Sequence, residues 1–445
     1  MSVSYQELKM KNKIIALTAA MVLALSSFAA SVETDRTWYL AGEAMKVDIT
    51  ADNALIVYAE LCDTKGLAAG DVVGLYGGRG IAKIELPSDM HSGYYVLSVY
   101  TRGNAPMAQQ LVAVVNPLRK SADDDIEWVS DETSFATADG AADWLTLERG
   151  RPRLQKVFAS PLSSLQSEAA KPSVPLSETE GHIVKARVKN VYEGHTYKGN
   201  QIRPSLSIVG KQIHYFEGKM VDDSTAVFFT FGVQGKLPLV LSAITSSGVN
   251  LPIEMISPFA TLLPKSLPRL VFHYKRNEVE TRSIDMQRHQ KAIAPAKREG
   301  SDDDATEEGL LLDYDNVAYD TKPYLTYNLD EYRQFMTIRE VLLEYVECVS
   351  NKKIKGIPHL MVHTKQSVDD SSRPTLVLID SMPVYDIEQL LNYDARRLHY
   401  INIYDGQYTF GNGVYNGILS FVTRSGRLTN YPTTPNGQYL VYDFP

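Results

Sequence analysis

The chain has 445 residues, 44% hydrophobic and 22% charged, which is the composition of a folded protein with length for about three domains. A formal net charge of −8 argues against nucleic acid and anionic lipid as main partners, because an acidic surface repels both. Two cysteines, Cys62 and Cys348, are too few for a disulfide scaffold or a cysteine-type zinc site. They form either one interdomain disulfide or two buried thiols, the more ordinary state of cysteine.

Residues 1–29 read as a secretory signal. Lys11 and Lys13 make a basic edge, Ile14 to Leu25 an apolar run, and Ser27-Phe28-Ala29 a small-x-small cleavage site. Met10 opens MKNKIIALT, the more usual signal start. The run is too short to span a bilayer comfortably, and no later stretch is long and apolar enough for a membrane helix. No cysteine follows the cleavage region, so a lipid anchor is not expected. The sequence therefore predicts an exported protein.

From Ser31 to Val115, alternating segments (Lys46 to Ile49, Leu55 to Leu61, Tyr94 to Tyr100) are separated by the turns Ala41-Gly42, Gly77-Gly78 and Pro87 to Gly93. This spacing predicts a β-sandwich over 31–115. The words TDRTWYLAGEAMKVDI and LPSDMHSGYYVLSVYT resemble the macroglobulin-type Ig-like domain near the start of alpha-2-macroglobulins. Asp35, Arg36, Tyr39, Gly42 and Glu43 carry the first word. Leu86, Pro87, Ser92, Gly93, Tyr94 and Tyr95 carry the second. The Gly-Cys-Gly-Glu-Gln thioester word is absent, so the resemblance does not imply covalent protease trapping.

Residues 116–171 are polar and irregular, with Asp123-Asp124-Asp125, and read as a linker with helical pieces near Ala141 to Glu148. A second β-sandwich is predicted over 180–288, with strands at His182 to Val188, Ser205 to Val209, Ala226 to Phe231, Pro238 to Ala243 and Leu270 to His273. An acidic linker, 291–320, contains SDDDATEEG.

Residues 328–445 form the last predicted domain. Thr337 and Glu340 make a capping box opening a helix whose Ile338, Val341, Leu342 and Tyr345 share a face. Leu376 to Ile379 is a continuous apolar run suited to a strand buried on both faces. Ser381 to Pro383 break it. Asp386 is placed as an N-cap with Gln389 three residues on, before a helical face of Ile387, Leu390, Leu391 and Leu398. Ile401 and Ile403 alternate with Asn402 and Tyr404 as a half-buried strand. A Gly-rich turn over Asp405 to Gly417 then precedes a final strand, Ile418 to Thr423.

This β-α-β-β order, with the capped helix before it, resembles the plug domain of TonB-dependent outer-membrane receptors over roughly Asn328 to Gly426. The sequence departs from the receptors at three places. Ser381 stands where they place Gly, ECV replaces a Pro-Gly turn, and YDGQYTFGNG replaces a Gly-Pro loop. Receptors continue into a barrel, whereas Arg427 to Pro445 supply one short apolar segment, Tyr439 to Phe444. The resemblance implies a Gram-negative envelope, with the protein in the periplasm or at the outer membrane. It also implies an envelope partner, with an outer-membrane barrel as one form of it.

Chemistry-bearing motifs are weak. His359 and His363 in PHLMVH have zinc-protease spacing but lack the intervening Glu and suit a strand. Gly411-x-Gly413-x-x-x-Gly417 has one residue too many for a dinucleotide fingerprint and precedes a strand. Gly74 to Gly80 lacks the ending of a phosphate loop and reads as a hairpin turn. The acidic runs at Asp123 and Asp302 lack the alternation of a calcium loop. No acid, base and nucleophile assemble, so no enzyme activity, cofactor or metal is expected.

The 26 tyrosines are a surplus. Those at Tyr393, Tyr400, Tyr404, Tyr408 and Tyr415 fill strand pairs and small cores, or else Tyr404, Tyr408, Phe410 and Tyr415 form an exposed contact surface. The expected architecture is mainly β: two Ig-like β-sandwich domains followed by a small α+β plug-like domain. The expected role is a non-enzymatic envelope adaptor or scaffold, a transport accessory being one form of it. The alternative is a glycan- or peptide-binding protein using its sandwiches.

Overall fold

The computed structural model describes residues 30–133, 178–293 and 322–445, with short breaks at 37, 53, 105, 180, 211–213, 275, 355–356, 364–373, 411–412, 427 and 429–435. The expected signal segment, the helical pieces near Ala141 and the acidic run at Asp302 lie outside these residues. The chain is mainly β, as the sequence predicts. It divides into two compact units, and each is discontinuous in sequence. One is Met1–Thr179 with Phe259–Pro295, the other Glu180–Pro258 with Ala296–Pro445.

In the first unit a three-stranded sheet (Ala30–Thr34, Ala44–Ala51, Arg79–Glu85) faces a five-stranded one. The order of the second sheet is Trp38–Leu40, Ala108–Val115, Gly93–Tyr100, Ile56–Cys62, Leu67–Gly74. Alternating apolar residues fill the space between them: Met45, Val47, Ile49, Ile84, Val57, Leu61, Tyr95, Leu97 and Val112. Yet every residue of Gly93–Tyr100 is buried, more than a sheet with one wet face requires. The reason is a returning segment. Leu270–Tyr274 pairs in parallel with Ile126–Thr133. With Val279 of the following helix, Arg276–Ile293, its Leu270 and Phe272 cover Trp38, Tyr94, Val96 and Leu111 on the outer face of the sheet.

Two expectations are corrected here. Leu270 to His273 belongs with the first unit, not with the second sandwich, and residues 126–133 are a strand within the expected linker. The cause is aromatic: the Phe272 ring stands edge-on to Trp38 at 4.8 Å and to Trp128 at 5.2 Å. A buried carboxylate fixes the same return. Glu60 accepts from the Tyr100 hydroxyl (2.8 Å) and from the backbone N–H groups of Thr261 (3.0 Å) and Leu262 (2.6 Å). Cys62 is buried and Cys348 half-buried, and both are free thiols.

In the second unit one sheet comprises Lys219–Met220, Thr225–Thr230, His182–Val188 and Ile253–Ile256. The facing sheet is His214–Glu217, Ile202–Ile208, Gly235–Thr245 and Gln438–Phe444. Its fourth strand comes from the C-terminal end of the chain, which the sequence reading assigned to the plug-like domain. It pairs antiparallel with Gly235–Thr245 and adds Tyr442 and Phe444 to the sandwich core.

An α+β module lies within the same unit. Its sheet runs Leu325–Asn328, Leu398–Phe410, Gly413–Thr423, Leu376–Ile379, Met382–Pro383, with Leu376–Ile379 parallel to Ile418–Phe421. Both expected helix starts are present. Thr337 Oγ1 accepts from Glu340 N while Glu340 Oε2 accepts from Thr337 N, opening Ile338–Glu344. Asp386 Oδ1 accepts from Gln389 N at the head of Ile387–Leu391.

The module differs from expectation at three points. The Gly-rich turn over Asp405 to Gly417 is instead paired strand on both sides of residues 411–412. The half-buried strand is buried at all four of Ile401 to Tyr404, because a core lies on each face. The break after Ile379 is a tight turn with Asp380 and Ser381 at φ 44° and 68°, and Met382-Pro383 rejoins the sheet. That left-handed backbone favours Gly, so a serine there needs support. The Ser381 hydroxyl donates to the carbonyl of Gly210 in the sandwich, whose own N–H donates to Asp380 O.

Candidate functional site

Of the four aromatic residues offered as an alternative contact surface, two are buried and two half-buried. Tyr404 is fully buried and Phe410 nearly so, packed with Leu376, Leu378 and Ile418. Tyr215 from the sandwich strand His214–Glu217 closes over them, its ring 4.2 Å from that of Phe410. Tyr408 and Tyr415 are half-buried at the margin, and the Tyr408 hydroxyl donates to Asp405 O at 2.8 Å. Burial pushes the Tyr215 and Tyr415 phenols above their ordinary range. The module thus spends its aromatic face on this chain's own second sandwich. Val209 and Val240 of the sandwich also enter the module's main core, and Ser205 Oγ lies 3.3 Å from the Tyr385 hydroxyl.

The macroglobulin-like words build turns. Arg36 bridges Asp35 (3.1 Å) and Glu43 (3.2 Å) and lies over the Tyr39 ring at 4.7 Å. The Tyr39 hydroxyl donates to Asp35, and Glu43 accepts from Leu40 N across the turn at Gly42, φ 94°. In the second word, Ser92 Oγ accepts from Asn116 N, and the Asn116 amide donates to Ser88 O and Met90 O. The acidic triplet joins this arrangement: Asp124 accepts from Ser92 N and Ser121 N, and Asp125 N donates to Ser92 O.

His359 and His363 lie on and just beyond the strand Ile357–Val362, and His363 Nε2 is 2.6 Å from Ser350 Oγ. Among the described residues no three His, Cys, Asp or Glu side chains are grouped to hold a metal. Gly77 and Gly78, φ 57° and 75°, form the tight turn read from the sequence.

Two features that the sequence reading did not single out remain open to solvent. In the first unit a cleft of about 560 Å³ is lined by Arg36, Leu40, Glu43, Ala44, Arg282, Asp285 and Met286. Burial raises the Glu43 carboxyl, and Arg36 opposes the shift. In the second unit, helix Ile338–Glu344 buries Ile338, Val341 and Leu342 yet leaves Leu343 81% exposed, with Met336 before its cap 65% exposed. Met336 precedes the extended N-cap Thr337, and Leu343 shares the outward side of the helix with Arg339, Glu340 and Glu344. The sequence signal was there, a leucine off the core stripe, but the periodicity argument attends to the buried face.

No family model and no curated protein matches the chain. Solved structures resemble parts of it. A biofilm-associated protein BSP domain matches at 9% identity and TM-score 0.17, over 55% of this chain and 32% of that one. Salmonella alpha-2-macroglobulin matches at 12% and 0.18, over 54% and 15%. Alpha-2-macroglobulin of E. coli matches at 12% and 0.18, over 53% and 14%. The chain therefore spans a third or less of the length of each. Likenesses this faint assign no activity, and the sandwich fold rests on the sheets described above.

Proposed function

We propose that the protein is a non-enzymatic envelope adaptor or scaffold that meets a protein partner through the outward side of helix Ile338–Glu344. The observation that carries this reading is the exposure of Leu343 on a helix whose opposite face is already committed to the core, with Met336 exposed just before the cap. Leu343 stands among the exposed charged residues Arg339, Glu340 and Glu344, and an apolar anchor inside a polar rim is the arrangement of an interface hot spot. The module's aromatic face is taken up by the second sandwich, so this reading places the contact on the exposed helix side instead. Export to a Gram-negative envelope follows from the signal-like segment and the plug resemblance, and the macroglobulin-type sandwich then serves as a spacer.

The test is crosslinking in intact host cells, with the wild type beside a Met336→Ser, Leu343→Glu double variant. Exposed substitutions of this kind shift stability by about 0.5 kcal/mol or less, so the fold persists. An outer-membrane or periplasmic protein should be recovered with the wild type and lost with the variant. Equal recovery with both would sink the proposal.

A second reading, glycan or peptide binding, draws on the cleft of the first unit, whose volume lies in the range of small-ligand sites. A glycan and peptide array probed with the full chain, wild type against Arg282→Ala, decides it. Hits that disappear in the variant support the cleft, and uniform silence removes it.

A further inference from the structure

We infer that the cleft of the first unit takes a peptide rather than a glycan, and holds it by a lysine or arginine side chain. The inference rests on the second reading above, that this cleft is a binding site, and names its ligand. The turn from Arg36 to Ala44 forms one wall and helix Arg276–Ile293 the other, both within the first unit. Burial raises the Glu43 carboxyl and Arg36, then Arg282, oppose it, which places the helix wall within electrostatic reach of Glu43.

A sugar ring is usually held by stacking on a bare aromatic face, and this cleft offers none. Among the described residues its lining contains no aromatic side chain. Tyr39, in the same turn, is fully buried, and the Arg36 guanidinium lies over its ring at 4.7 Å. A bare metal ion is no better an occupant. It needs several ligands, and no three His, Cys, Asp or Glu side chains are grouped among the described residues.

What the lining does offer is acceptor capacity beside apolar surface. Arg36 is spent within the protein: Nε donates to Asp35, and the two terminal nitrogens donate to Glu43 at 3.2 Å and Ala44 O at 3.3 Å. Glu43 is spent on one oxygen only. Its Oε2 accepts from Arg36 and from Leu40 N at 2.9 Å, whereas Oε1 accepts from no group among the described residues. Asp285, on the helix wall, is exposed, and its ion pair is a long one, 3.8 Å to Arg288 outside the lining. Two carboxylates on opposite walls can therefore accept from one cation. Between them Ala44 and Met286, both half-buried, give an apolar surface for the carbon stem of a lysine or arginine. Arg282 completes the fit, since a guanidinium has five N–H donors and can serve a peptide carbonyl beside its existing contacts.

Titration calorimetry of the full chain tests the inference with three probes: acetyl-Ala-Lys-Ala amide, acetyl-Ala-Glu-Ala amide and maltotriose. The lysine peptide should bind, and the other two should stay silent. Glu43→Gln and Asp285→Asn should each weaken the lysine peptide about tenfold, the worth of one charge-assisted hydrogen bond. Glu43→Gln keeps an oxygen for Leu40 N, and Asp285 is exposed, so both variants should retain the wild-type melting midpoint. If Glu43→Gln lowers that midpoint, Asp285→Asn decides alone. Binding of maltotriose with both peptides silent overturns the inference and leaves the cleft standing as a binding site. A glutamate peptide that binds as well as the lysine peptide, or a lysine peptide indifferent to Asp285→Asn, overturns it in the same way. Silence of all three removes the cleft reading and the inference together.

Discussion

Asp380 lies at the turn that couples the α+β module to the sandwich, and its carboxylate is sealed from water. It accepts from the backbone N–H groups of Thr423 and Leu428, both at 2.8 Å, and from the Thr423 hydroxyl. Replacement by alanine leaves these donors buried without a partner. A loss of about 3 kcal/mol is expected from the usual penalty for stranded donors, read as a lowered denaturant midpoint at unchanged slope. Burial raises the carboxyl above its ordinary value, against the pull of its three donors. The folded chain therefore keeps this proton at pH values where the unfolded chain, titrating near pH 4, has lost it. Its contribution is complete below that pH and falls as pH rises through the folded value. Relative to Asp380→Asn, the wild type should lose stability across that window by up to about 1.4 kcal/mol per pH unit. A wild type that gains stability relative to Asp380→Asn as pH rises would contradict the assignment.

Among the elements, the helix starts have the plainest local cause. Thr337→Ala removes one half of a reciprocal cap and should cost about 1 kcal/mol, measured as a lower unfolding midpoint of the second unit. Thr337→Ser should recover most of it. Features of this kind were legible from sequence because each depends on a few neighbouring residues: the caps at Thr337 and Asp386, and the buried run Leu376 to Ile379. The hairpin Leu398–Thr423 was not. Asp405, Gly406 and Gly417 read as loop, whereas Gly406 (φ 103°) sits where the pairing register shifts between Tyr404 and Gln407. The choice between core and contact surface for the four aromatic residues was open in the sequence for a related reason. Their pattern does not say that both faces of the sheet are covered, and the cover, Tyr215, lies far away in the chain. The pairing of Gln438–Phe444 with Gly235–Thr245 is likewise set by a partner no local window contains. The open cleft was hidden for the same reason, since its walls come from residues near 40 and near 285.

At the scale of the whole chain, each unit is closed by a segment that returns from elsewhere, and this determines which pieces can fold. A fragment from Asp330 onward would lack Tyr215, Val209 and Val240, and would leave Gln438–Phe444 without a strand to pair with. It should not form a cooperative fold. The sharper experiment removes residues 438–445 from the full chain. Tyr442 and Phe444 leave the sandwich core together with a whole ladder of hydrogen bonds. Deleting one such aromatic costs about 3 to 5 kcal/mol, and two approach the entire stability of an ordinary domain, about 5 to 15 kcal/mol. The second unit should therefore unfold. The first has its own core and its own closing strand, Leu270–Tyr274, so it should persist. All three tryptophans, Trp38, Trp128 and Trp144, fall in the sequence of the first unit, which makes their emission its private reporter. The deletion should erase much of the far-ultraviolet strand signal while leaving the tryptophan melting curve where it was. A tryptophan transition that moves with the deletion would show that the two units unfold as one.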